Sequence, residues 1–391
     1  MIKDILKDSL YYLISKSIVG VLSLVVIWLT LKIYGVSQYG EFSVLYVLAL
    51  TISNLCFTWL AQSYIRMNRH NDCDKRLLQA GLIGSTILCA IIVYVGSFLL
   101  EYQYIACVLL ALTSGFYSVG RSLLQSERKI KVFFYYDLFR IVIQIICAYV
   151  FSFFFKGING LIIACSLSCF IFIMTFKPAF SIGLRIESFS GLKEGLLNWL
   201  KFGLPVAVWI TIASGQLLVD RKIIITFLNT YELGIYSAIY DSVVKICALI
   251  VIPLSNACYP ILVFNETANI NYKKIGCYLS LVSVAIASVS ALLVYNSYDF
   301  IVNFINIGLS KKDLGILIFG IILWQLGLLY QKPLEMQKKT YAMLINIVLC
   351  LIISVVVNLN FVSALGISIF PISVAISSLC YLMLTYIWIE K

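Results

Sequence analysis

Of the 391 residues, 62% are hydrophobic and 12% charged, against roughly 45–50% apolar and 25% charged in soluble domains, which excludes a soluble fold. Apolar runs of about 20 residues recur with short gaps, where a transmembrane barrel would show alternating segments of about 10. The chain therefore reads as an all-α membrane protein. Its net charge of +11 is explained by topology, as shown below, and implies no nucleic-acid partner.

The N-terminal MIKDILKDSLYY is charged and runs into a full-length span without a small-residue cleavage site, so it reads as a retained first helix and not as a signal peptide. Spans follow near 10–33, 42–65, 77–100, 103–124, 132–155 and 157–176, then near 202–228, 234–262, 276–298, 313–331, 341–360 and 365–389. This predicts about 12 transmembrane helices in two six-helix bundles, 1–176 and 202–391. Placing both termini in the cytoplasm (N-in/C-in) puts 20 of the 29 Lys and Arg inside, four outside (Lys32, Lys156, Lys311 and Lys312) and five within spans. That asymmetry is the positive-inside rule.

Between the halves lies the longest connection, 177–201. In it Leu192, Leu196, Trp199 and Leu200 follow i, i+4, i+7, i+8 spacing, with Lys193, Glu194 and Lys201 off the stripe. A cytoplasmic linker helix lying in the membrane interface is expected. Pro205, Pro253, Pro260 and Pro371 fall within or at the ends of spans, where neighbouring helices can satisfy the freed carbonyls.

Eleven of the twelve cysteines lie in or at the ends of spans and Cys73 is in a cytoplasmic loop, so no disulfide framework is available. Cys165 and Cys169 share a helix face but lack a third ligand, so they read as core packing and no metal site is expected. The single histidine, His70, sits in a charged loop. No GxxxxGK[ST] loop occurs, so ATP is not the direct energy source.

Eight charges lie inside spans away from their ends or nearly so: Lys16 in the first; Asp137 and Arg140 in the fifth, with Gln144 on the same face; Asp220, Arg221 and Lys222 in the seventh, with Gln216 a turn earlier; Asp241 and Lys245 in the eighth. Each costs roughly 2.5–3.5 kcal/mol at the centre of a lipid-facing helix, so they should face protein or water. The bland reading makes Asp137 with Arg140, and Asp241 with Lys245, self-neutralising intrahelical pairs; the sharper one makes them functional, as intramembrane ionisable groups usually are. Asp220 and Asp241 count to a common depth, about 12–14 Å below the outer ends of their helices. Five cations against three anions suit an anionic, partly lipid substrate, since Lys and Arg recognise phosphate oxygens. Lys16, Arg140, Arg221, Lys222 and Lys245 are thus the candidate substrate-binding residues, and Asp137, Asp220 and Asp241 the candidate ion-coupling or counter-ion groups.

One internal repeat accompanies these charges. Gly40, Phe42, Ser43 and Tyr46 in YGEFSVLY match Gly234, Tyr236, Ser237 and Tyr240 in LGIYSAIY at a constant offset, at equivalent points of the two halves. Transporters are commonly built from such repeats, with the site between them.

The two six-span halves, the Asp-Arg pair followed by ELGIYS, the YGEFS after the first span, the LPV containing Pro205 and the LLQSERK ending the fourth span resemble the Wzx-type oligosaccharide flippases of the multidrug/oligosaccharidyl-lipid/polysaccharide exporter superfamily. The resemblance implies a MATE-like fold and a flippase in the bacterial inner membrane. Its substrate would be an undecaprenyl-diphosphate-linked oligosaccharide, a repeat unit of O-antigen or capsule, moved by alternating access with H+ or Na+ as coupling ion. It implies headgroup roles for Asp220, Arg221, Arg140 and Lys245, and membrane lipids and the polysaccharide polymerase machinery as partners. A multidrug exporter of the same superfamily is the alternative. A polymerase or acyltransferase is disfavoured by the short outer loops and by the lack of an intramembrane histidine to serve as a base, so no catalytic residue is expected.

Overall fold

The computed structural model describes residues 2–67, 72–97, 104–127, 129–155, 157–172, 189–264, 309–331, 334 and 339–390, with isolated positions 288, 292 and 295. Every extended element among them is an α-helix: α1 (Ile2–Tyr34), α2 (Val36–Met67), α3 (Asp72–Ser97), α4 (Tyr104–Ser126), α5 (Ile130–Phe154), α6 (Ile158–Cys169), α7 (Phe189–Phe227), α8 (Thr230–Phe264), α9 (Lys311–Tyr330), α10 (Thr340–Leu365) and α11 (Ile369–Glu390). Eight stretches of described residues are long and apolar enough to cross a membrane, and one of them, Thr340–Trp388, holds both α10 and α11. The expected span at 276–298 lies outside the described residues but for the isolated positions.

Local chemistry sets the helix ends. Gly35 alone separates α1 from α2, at φ +83, a conformation that a side chain disfavours; its N–H still reaches Leu31 O at 3.0 Å. Asn229 caps α8, its Oδ1 accepting from Glu232 N at 2.8 Å. Ser310 caps α9 by accepting from Asp313 N at 3.1 Å, and the Asp313 carboxylate accepts from both Ser310 and Ser368.

The chain divides into two compact units, Phe42–Leu218 and the pair Met1–Glu41 with Val219–Lys391. The boundaries fall inside α2 and α7. By packing, α1 and the first turns of α2 therefore group with the helices of the second sequence half.

In the unit that holds the termini, α11 packs on α9 and α10, while α8 packs on α1 and α9. The close approach of α9 to α11 needs Gly320, whose Cβ would lie 2.8 Å from Ala375 N. Small residues at such crossings are what let helices associate where lipid offers no hydrophobic drive.

In the other unit α6 packs on α4 and α5, and α3 on α4. The start of α7 belongs here and is continuous with the span expected from residue 202. One continuous helix runs from Phe189 through Pro205 to Phe227. Trp199 is buried edge-on against Tyr64, and its carbonyl accepts from Ser63 Oγ at 2.6 Å. Gly203 sits against the Trp59 carbonyl, so this part of α7 lies along α2.

Candidate functional site

Three consecutive charges on α7 are turned about 100° apart by the helix and take three environments. Lys222 is exposed. Arg221 is fully buried and donates from Nη2 to Asp241 Oδ1 of α8 at 2.6 Å. The other oxygen of Asp241 accepts from the Tyr39 hydroxyl of α2 at 2.9 Å. The pair is open from one side only, the Asp241 side chain being 24% exposed and the Arg221 side chain 1%. Lys245, a turn beyond Asp241, donates to the Ser23 carbonyl of α1 at 3.3 Å. Asp241 and Lys245 therefore both make contacts off their own helix, beyond the simple i, i+4 pair that their spacing suggests.

Asp220 is 2% exposed and faces α10. Asn358 Nδ2 donates to its Oδ1 at 2.8 Å and Ser354 Oγ at 3.3 Å, and Ser354 also bonds Ser373 of α11 at 2.9 Å. Ser354 and Asn358 are four apart, one above the other on the same helix face. Two oxygens in this neighbourhood, Asn358 Oδ1 and the Tyr236 hydroxyl, are buried without a hydrogen-bond partner among the described residues. Tyr236 lies within electrostatic range of Asp220, Arg221 and Asp241. Asn358 and Ser354 both present donors to the carboxylate, so it is held by neutral hydrogen bonds.

The unit Phe42–Leu218 holds a second cluster. Asp137 of α5, buried, accepts from the Tyr117 hydroxyl of α4 and lies 3.4 Å from Arg121 Nη2. Arg140, one turn along, donates to Gln144 Oε1 at 3.2 Å and stands 5.1 Å over the Tyr117 ring, a cation–π arrangement. Its Nε is buried without a hydrogen-bond partner among the described residues. Tyr117 stacks on Tyr136 with centroids 4.9 Å apart, which fixes the ring under the guanidinium.

The structure thus gathers Asp220, Arg221, Asp241 and Lys245 in one unit and Asp137 with Arg140 in the other. Lys16 lies on α1 outside the residues whose side chains are described. Tyr39, Ser354, Asn358, Ser373, Tyr117 and Arg121 are not singled out by sequence reasoning; a polar stripe on α10 (Asn346, Ser354 and Asn358, all buried) is the one signal that could have found some of them. Cys165 accepts from Gln144 Nε2 and Cys169 neighbours Arg140. Among the described residues no group of three His, Cys, Asp or Glu could hold a metal ion.

No protein-family model matches the sequence, and no curated protein matches it. Solved structures do match in fold. A lipid II flippase, MurJ, in an inward closed conformation superimposes with a TM-score of 0.76 at 13% identity, covering 98% of this chain and 87% of that one. The MATE multidrug transporter DinF-BH gives 0.71 at 13% identity, covering 99% and 95%. An outward-facing MATE transporter of the MOP superfamily gives 0.66 at 16%, covering 96% and 94%. At these identities the likeness establishes the fold, which is that of the MurJ and MATE transporters.

Proposed function

We propose that the chain is a flippase that moves an undecaprenyl-diphosphate-linked oligosaccharide across the bacterial inner membrane by alternating access. The observation that carries this reading is the Arg221–Asp241 pair, a guanidinium held inside a span and opposed by a carboxylate that an incoming anion can displace. A diphosphate offers the paired oxygens that a guanidinium binds through two hydrogen bonds. Lys245 in the same unit offers a further cation, and Arg140 is the candidate of the other unit. The fold shared with a lipid II flippase supports a lipid-linked substrate.

Asp220 supplies the coupling. Its neutral donors on α10 leave a negative charge for H+ or Na+, with Ser354 Oγ as a further oxygen beside it. Both termini face the cytoplasm in this proposal, O-antigen or capsule is the polymer served, and the protein transports without catalysing a reaction. The deciding experiment restores this gene to a flippase-null bacterium and scores polymer on the cell surface. No polymer under conditions where the protein reaches the membrane rejects the reading.

One observation favours a second reading. The buried carboxylate of Asp220, held by neutral donors, would also serve a cation-coupled multidrug antiporter, and multidrug transport is the activity named for MATE structures that share the fold. Ion-driven efflux of a cationic dye from vesicles, unaffected by lipid-linked oligosaccharide, would select it.

A further inference from the structure

The repeat motifs touch, and they do so reciprocally. A Cβ on Gly40 would lie 2.7 Å from the Thr230 carbonyl oxygen and 2.8 Å from Gly234 N, while a Cβ on Gly234 would run into the Val36 carbonyl. Val36 stands four residues before Gly40, as Thr230 does before Gly234. Each glycine therefore faces the residue one turn ahead of the other, the contact expected of two elements related by a two-fold axis. The first turns of α2 and α8 meet so closely that backbone of one, joined at Gly234 by Val36 Cγ1, stands where a side chain of the other would be.

Beside this seam Tyr39 is 4% exposed and gives its hydroxyl to Asp241. The Asp241 carboxylate is thus held at both ends, Oδ2 by Tyr39 from α2 and Oδ1 by Arg221 from α7. Moving the start of α2 away from α8 would remove the first donor. The half-open carboxylate could then turn toward its exposed side and release Arg221.

We propose that the Gly40/Gly234 seam and the Tyr39 hydroxyl form a latch that, while closed, keeps Arg221 on Asp241 and out of reach of an anion. The seam is suited to parting because it involves only helix starts and rests on two glycines that bring backbone against backbone. Tyr39 is a positioning residue, acting on Arg221 through Asp241. The role given to the released guanidinium rests on the headgroup reading above.

The test uses the full chain in vesicles, with the native cysteines replaced and Ser237, fully buried and three residues after Gly234, changed to Cys as a probe. Gly234→Ala forces a methyl against backbone that cannot yield, so the closed state is disfavoured. Labelling of the probe by a membrane-impermeant maleimide should rise about tenfold. Gly40→Ala should act alike because the contact is reciprocal, and it stands in should Gly234→Ala fail to fold. Tyr39→Phe should raise labelling in the same direction, by severalfold. Unchanged labelling in all three variants, with only a lower melting temperature, would show fixed packing and overturn the latch. Inorganic diphosphate tests the headgroup reading separately: it should slow labelling in the opened variants and do so no longer once Arg221→Gln is added. Increased labelling that is indifferent to diphosphate supports the latch and rejects the headgroup reading.

Discussion

Asp220 accepts a 2.8 Å hydrogen bond from Asn358, 138 residues further along the chain, while its neighbour Arg221 turns to Asp241. The two adjacent charges on α7 are therefore not each other's principal hydrogen-bond partners. Removing the Asp220 carboxylate leaves the Arg221 ion pair in place.

This separation gives the first prediction. Asp220→Asn should keep normal protein abundance, because the amide can still accept from Asn358 and Ser354, yet transport should stop because the coupling charge is gone. Adding Arg221→Gln should not rescue it. Recovery of cell-surface polymer in the double variant would mean that Asp220 only offsets a buried positive charge.

The second prediction is topological and follows from the 20 to 4 division of basic residues. Reporter fusions at Asn159 and Tyr231 should read periplasmic, and fusions at Asp72 and Lys273 cytoplasmic. Reversed readings at any two of these sites would break the proposed orientation.

Much of the architecture is legible because a bilayer imposes a length on every helix. The bounds of α4, α5 and α10 lie within a few residues of the apolar runs that announce them. The start of α7 is not legible. Pro205 leaves the Lys201 carbonyl without its intrahelical donor, which suggests a break, but the helix persists with Trp199 and Gly203 seated on α2. At the site, helical geometry alone shows that Asp220, Arg221 and Lys222 must diverge. It cannot show that Tyr39, 202 residues from Asp241, reaches the same carboxylate, because that contact depends on how α2 and α8 cross. Nor can it show that the guanidinium of Arg121, just before LLQSERK, reaches Asp137, because that contact depends on how α4 and α5 pack.

The third prediction concerns the cations proposed for the headgroup. Arg140→Glu and Lys245→Glu should each abolish polymer export with protein still in the membrane. Arg140→Lys should lose most activity as well, because an ammonium keeps the charge but not the planar fork that spans Gln144 and the Tyr117 face. Full export from both reversals would show these groups to be structural.

The fourth prediction separates what the Arg221–Asp241 pair does for folding from what it does for transport. Arg221 is fully buried, so removing Asp241 alone takes away the carboxylate that its Nη2 faces, and removing Arg221 alone leaves Asp241 still accepting from the Tyr39 hydroxyl. Breaking a buried pair from one side costs about 3–5 kcal/mol, whereas replacing both partners with apolar residues of similar volume is often neutral or stabilising by about 1–4 kcal/mol. Asp241→Leu should therefore lower the melting temperature in detergent more than Arg221→Met does, since Asp241 keeps partial solvent access and Arg221 has none. The double variant Arg221→Met with Asp241→Leu should recover most of that loss. If the pair served folding alone, recovered stability would bring recovered export. If an anion must compete with Asp241 for the guanidinium, the double variant should be stable, abundant and inactive. Surface polymer from a stable double variant would remove Arg221 from the transport mechanism.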